Sequence, residues 1–167
     1  MAPVMDLVEP LVIATGCSLV DVQFVNEGHG WILRIYIEKL SGATGLEECM
    51  VVNRHVSALL DVHEDLIPHA YRLEVSTPGA QRPLRKKEDF VRFAGQRAVV
   101  KMVAAWSDPD GVARKRFKGV LCGVEGEDVL MRVASQLPHQ SVPVEHMVRI
   151  PVLQIGKASL DPVYPPV

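Results

Sequence analysis

The hydrophobic period of the chain changes once, and that change limits the folds open to it. Up to about residue 79, runs with three- and four-residue spacing alternate with runs of period two. Leu7, Val8, Leu11 and Val12 predict a helix over Val4 to Ala14, with Pro3 in its first turn and Gly16 at its exit. Pro10 sits too deep for the first turn and predicts a kink or a late start. Ser18 to Asn26 alternates, with Val20, Val22 and Phe24 on the face expected to be buried. After the turn Asn26-Glu27-Gly28-His29-Gly30, Trp31 to Glu38 alternates again, so the two runs predict a β-hairpin. Thr44 and Glu47 have capping-box spacing before a helix over Leu46 to Leu60, whose stripe is Leu46, Met50, Asn53, Val56 and Leu60. His55 is expected to be exposed or at the edge of that stripe. Tyr71 to Val75 predicts a short strand, closed by Ser76-Thr77-Pro78-Gly79.

A short helix over Lys86 to Phe93 ends at Gly95, and from there the period is two. Arg97–Ala104, Lys115–Val124 and Asp128–Ala134 predict strands, followed by extended pieces at Ser141–Val144 and Met147–Val152. Several short strands with turn signals suit a small barrel. The expected fold is therefore α+β in two domains, an N-terminal α/β sandwich of α-β-β-α-β order over residues 1–82 and a C-terminal small β-barrel over 83–167. Repeats, low-complexity tracts and long linkers are absent from the sequence.

The formal net charge of −2 conceals a strong segregation. Residues 1–71 carry three basic and ten acidic side chains, a net of −7. Residues 72–118 carry twelve basic and five acidic ones, a net of +7, and residues 119–167 carry three and five, a net of −2. A middle stretch this basic could meet RNA phosphate or an acidic protein face, or could pair with the acidic first third of the same molecule. No apolar run reaches about 18 residues, so no membrane span is expected. The opening MAPVMDLVEPLVIATG has no basic residue and is not read as a secretory signal. Cys17, Cys49 and Cys122 are few, odd in number and scattered. They read as reduced thiols of a cytosolic protein, placed as small core or half-buried residues.

Motifs of catalysis and metal binding give little. The six histidines form no H-x-x-x-H and pair with no C-x-x-C, and no Walker loop, dinucleotide fingerprint or G-x-S-x-G occurs. Asp108-Pro109-Asp110-Gly111 begins like a calcium loop but lacks its later ligands, and a hairpin tip accounts for it better. Gly42-Ala43-Thr44-Gly45 has the G-x-x-G spacing of the K-homology loop, which clamps a nucleic-acid backbone, and the α-β-β-α-β order is K-homology-like. Glu47 and Glu48 follow at once and would repel phosphate, so a turn with a helix cap is the better account. The candidate RNA- or ribosome-binding residues are the basic clusters Arg82, Arg85, Lys86 and Lys87, then Arg92 and Arg97, then Arg114, Lys115, Arg116 and Lys118. Alternation puts Arg114 and Arg116 on one face and Lys115 with Phe117 on the other. Pro78, Gly79 and Pro83 have a competing structural role, fixing an interdomain turn that Arg82 anchors to a carboxylate.

Tyr71-Arg72-Leu73-Glu74-Val75-Ser76-Thr77-Pro78-Gly79, then Arg82-Pro83-Leu84, Asp89-Phe90 and Arg92-Phe93-Ala94-Gly95, resembles the ribosome maturation factor P (RimP) family. Leu33 to Ile37, Val56 to Asp61 and the closing Ile155 to Leu160 match as well, while Pro138–Leu153 is longer than the family pattern. The resemblance implies an α/β N-terminal domain and an Sm-like, SH3-like C-terminal barrel. It implies a cytoplasmic, monomeric, non-catalytic factor without cofactor, metal or membrane partner. Such a factor binds the free 30S small ribosomal subunit during maturation, in contact with small-subunit ribosomal RNA and small-subunit ribosomal protein twelve. A general Sm-like RNA-binding protein is the alternative within binding proteins, and an RNA-modifying or hydrolytic enzyme is the alternative of another class.

Overall fold

The computed structural model describes residues 1–107, 113–135 and 143–162. It divides into two compact units, Met1–Gly79 and Ala80–Val167.

In the first unit, helix α1 (Ala2–Ala14) leads into strands β1 (Cys17–Asn26) and β2 (Trp31–Lys39), helix α2 (Leu46–Asp61) and strand β3 (Tyr71–Ser76). The sheet order is β1-β2-β3, with the hairpin antiparallel and β3 parallel to β2. A parallel neighbour needs a crossover, and α2 supplies it. Val4, Val8 and Val12 of α1 and Cys49, Val52, Val56 and Leu60 of α2 pack on Leu33, Ile35 and Ile37 of β2 to form the core. One layer of helices thus covers one face of a small sheet.

Three expectations change here. Helix α1 runs unbroken through Pro10. Pro10 and Asp6, whose carbonyl loses its partner, are both exposed, so water can satisfy that carbonyl. The buried stripe of α2 starts at Cys49 and Val52, while Leu46 and Met50 are exposed. The helix has turned its more continuous apolar row, spaced three, four and four, toward the sheet, leaving Asn53 to donate to the Leu73 carbonyl at 3.4 Å. In β1 a register shift between Leu19 and Asp21 adds a residue, so Cys17 and Leu19 join Val22 in the core.

In the second unit, helix α3 (Lys87–Arg92) precedes β4 (Arg97–Ser107), β5 (Ala113–Glu125), β6 (Asp128–Ser135), β7 (Val144–Pro151) and β8 (Ile155–Leu160), with one 3-10 turn at Val152–Gln154. The order is β7-β6-β5-β4-β8, every ladder antiparallel. Among the described residues no ladder joins β7 to β8, so the sheet is open in its hydrogen bonding where a closed barrel was expected. Its core gathers Leu84, Phe90, Ala98, Val100, Phe117, Leu121, Met131 and Ile150. The hairpin tip and calcium-like loop at 108–111 lie outside the described residues, as does most of the expected extended piece at 141–144. The following strand is one run, Val144–Pro151. Cys122 corrects the cysteine expectation: Cys17 and Cys49 are buried but Cys122 is exposed, at a register shift between Leu121 and Gly123 that turns it outward.

Gly119 stands where β5 comes close to β6. A Cβ there would lie 2.1 Å from the Arg132 carbonyl oxygen, which belongs to the ladder and cannot move cheaply. Gly119→Ala should destabilise the second unit by about 1–3 kcal/mol, the usual cost of overpacking. Denaturant unfolding with a probe in that unit measures it, and a neutral outcome would show that β5 and β6 can part.

Candidate nucleic-acid interface

The ten basic candidates all fall in the second unit, and the structure sorts them into different local roles. Arg82 is 7% exposed. Its guanidinium meets the Asp89 carboxylate at 3.0 Å, donates to the Pro83 carbonyl at 2.8 Å and lies 4.8 Å from the centre of the Phe93 ring. The other Asp89 oxygen accepts from the backbone N–H groups of Arg85 and Lys86, at 2.8 and 2.9 Å, at the start of α3. One carboxylate therefore caps the helix and neutralises a buried arginine. The sequence reading in which Arg82 anchors the turn to a carboxylate describes this contact.

Arg85 and Lys86 keep exposed side chains. Lys87 meets Glu127 at 2.7 Å, and Arg92 lies 4.9 Å from the Phe93 ring centre. Arg97 and Lys118 flank Asp161, at 3.8 and 3.1 Å. Arg114 is half-buried opposite Trp106, and Lys115 and Arg116 are exposed.

The sheet register brings in two residues that the linear clusters omit. Lys101 is opposite Arg116 on β5 and opposite Lys157 on β8. Ala98, Val100 and Met102 of β4 are buried, so Arg97, Val99 and Lys101 hold the outer face. That face carries Arg97, Lys101, Arg116, Lys118 and Lys157 against the single carboxylate of Asp161. Period-two alternation from Arg97 pointed to Lys101. Only the pairing of β8 with β4, closing the sheet order far from either in sequence, could bring Lys157 beside it.

The G-x-x-G stretch is arranged differently from a phosphate clamp. Helix α2 begins one residue later than the Thr44–Glu47 spacing predicts: Gly45 is its N-cap, and its N–H donates to Glu48 at 2.8 Å. Thr44 is engaged elsewhere, its hydroxyl accepting from the Lys39 N–H at 2.6 Å. Lys39 also pairs with Glu48. The Lys39 ammonium, with the backbone N–H groups of the helix start, holds the Glu48 carboxyl down to about 2. A carboxylate of this chain thus occupies the electropositive helix end.

Among the described residues no group of three or more His, Cys, Asp or Glu side chains could hold a metal ion. Nor is any helix among them long and apolar enough to cross a membrane. Fold and surface together define a two-unit α+β protein whose second unit turns a cationic sheet face to solvent. Residues 7–81 match the family model of the RimP N-terminal domain. Through that domain the chain belongs to the RimP family, a family of ribosome maturation factors. The matched stretch coincides with the first unit and ends one residue before Arg82, the first of the basic candidates.

Two outcomes follow from these contacts. Arg82→Ala leaves Asp89 without its guanidinium partner and should cost about 3–5 kcal/mol in denaturant unfolding; a loss below 1 kcal/mol would mean that the pair does not organise the start of α3. For Glu48, the depressed folded value means that its pairing contributes stability above the ordinary carboxyl range and loses it as pH falls toward about 2. An NMR titration of the Glu48 carboxyl should show that low midpoint in the parent protein and a rise toward 4.5 in Lys39→Ala. Equal midpoints would discard the ion pair as the cause.

Proposed function

We propose that this protein is a non-catalytic maturation factor of the 30S small ribosomal subunit, acting by preferential binding to the free, immature subunit. The observation that carries the reading is the match of residues 7–81 to the RimP N-terminal domain. The resemblance of the later motifs, from Arg82-Pro83-Leu84 to Ile155–Leu160, extends it to the second unit. In this reading residues 1–82 are the α/β domain and 83–167 an Sm-like barrel domain, supported by the order of one helix followed by five antiparallel strands. The protein works as a monomer in the cytoplasm, without cofactor or metal, and its partners are small-subunit ribosomal RNA and small-subunit ribosomal protein twelve.

Arg85, Lys86, Arg92, Arg97, Arg114, Lys115, Arg116 and Lys118 are the proposed contact set, with Lys87 beside them. Arg82, buried against Asp89, supports them from within. Binding would stabilise one state of the subunit by differential affinity, which needs no chemical step. Charge on the second unit supports an RNA-facing role, because each phosphate neutralised releases counterions and strengthens binding at low salt.

Sedimentation with small subunits over a potassium chloride series tests the proposal. The protein should comigrate with free small subunits and leave them as salt rises. Replacing Arg114, Lys115 and Arg116 together with Ala should flatten the log–log salt dependence by roughly 2–3, at about 0.7–0.9 per lost phosphate contact. Comigration with mature ribosomes but not with free small subunits would overturn the reading.

A further inference from the structure

The cationic sheet face is ordered in rows. Across β5, β4 and β8 the register gives one row of Arg116, Lys101 and Lys157, and a second of Lys118, Val99 and Ser159. Beyond them lies Arg97, whose carbonyl accepts from the Asp161 N–H at 2.9 Å. The first row is three like charges on adjacent strands, about 4.7–4.9 Å apart. Like charges directly opposite each other on a sheet are destabilising. Arg116, Lys101 and Lys157 are exposed, and among the described residues none of the three forms an ion pair with a carboxylate. Asp161, the nearest acid on β8, is four residues along from Lys157, about 13 Å in an extended strand, and already lies between Arg97 and Lys118.

A cleft of about 250 Å³ opens on this row, lined by Lys101, Arg116 and Lys157 together with Ser159 and Gln81. Its edge is built by the chain before α3: Leu84 N–H donates to the Ala158 carbonyl and Leu160 N–H to the Arg82 carbonyl, both at 2.9 Å. Gln81 is thereby carried alongside β8. The volume is below that of ordinary small-molecule pockets, which start near 300 Å³. Three cations, a hydroxyl and an amide form a donor set suited to the oxygens of a single tetrahedral anion.

We infer that the cleft formed by Lys101, Arg116, Lys157, Ser159 and Gln81 is a subsite for a backbone phosphate of an RNA strand. The inference deepens the proposed function and rests on its premise that the second unit faces RNA. Charge spacing favours a polynucleotide over an acidic peptide. An extended peptide places same-face carboxylates about 6.6–6.8 Å apart, wider than the row, whereas phosphates follow each other more closely along a strand. A phosphate contact of this kind fixes the position and direction of the strand without reading its sequence.

The test uses the full chain and its Lys101→Gln/Lys157→Gln variant, with fluorescence anisotropy of a short labelled uridine-only RNA over a potassium chloride series. The variant should bind more weakly, with a log–log slope flatter by about 1.4, at 0.7 for each cation removed from a single strand. Its melting temperature should be unchanged or raised, because the substitutions remove like-charge repulsion. An unchanged slope would overturn the subsite, and so would competition by a glutamate-only peptide as strong as competition by unlabelled RNA. The same variant in the subunit sedimentation assay separates the two claims. If the parent chain comigrates with small subunits and the variant keeps the parent salt slope on RNA, the subsite is wrong and the maturation reading stands. If the parent chain fails to comigrate while the slope still falls on RNA, the subsite is upheld and the maturation reading is wrong.

Discussion

Strand β4 is hydrogen-bonded on both sides, and its register against β5 and β8 decides what the second unit buries and what it shows. Inward go Ala98, Val100 and Met102, which meet Phe117 and Ala158 in the core. Outward go Arg97, Val99 and Lys101. A slip of one residue would exchange the two sets, burying three cations' worth of charge across the sheet and exposing the apolar row. The cost of that exchange pins the register. A pinned register in turn holds the cations of β5 and β8 in line with Lys101, although they repel one another. Hydrophobic burial on one face thus sustains an electrostatic arrangement on the other that would not form by itself.

Asp89 plays the corresponding part at the entrance to the unit. Its carboxylate accepts from two backbone N–H groups and pairs with buried Arg82, so α3 and the segment before it are held by one charged group. The same segment pairs with β8 through Leu84 and the Arg82 carbonyl. Pro83 then needs no N–H of its own on that side, which suits a residue without a donor at a sheet edge. The Arg82-Pro83-Leu84 run is a structural device: a buried ion pair, a donor-free edge and a core leucine in three consecutive positions.

The acidic first unit balances its few cations locally. Arg34 donates to both Glu27 and Glu74, the latter directly opposite it on β3, and these two carboxylates raise its pKa further above its ordinary value. Lys39 pairs with Glu48 at the start of α2. The basic residues of residues 1–71 are thus largely neutralised at short range, while the outer face of the second unit keeps a surplus of cations. Near-neutral total charge therefore says nothing about either surface. Each unit's field is set by which charges its own sheet register pairs.

Local pattern was enough to locate most elements: the helices, the hairpin around Gly28 and Gly30, the break after Ser76 and the strands from Arg97 onward all follow from apolar period, turn residues and caps. The charge segregation and the family resemblance were equally present in the linear chain, because both are properties of residue order. What local pattern could not supply was rotation, register and closure. Which apolar stripe of α2 faces the sheet depended on the competing packing of Cys49 and Val52 against Leu46 and Met50. The bulges in β1 and β5, which bury Leu19 and expose Cys122, arise from fitting strands of unequal path. Lys157 became a neighbour of Lys101 only because β8 returns to the edge of β4 across more than fifty residues, and a contact of that separation is decided by the whole sheet. The sequence determined that the middle of the chain is cationic and which short elements carry the charge. The tertiary structure alone decided which cations share a face, which are buried in support, and where three of them meet.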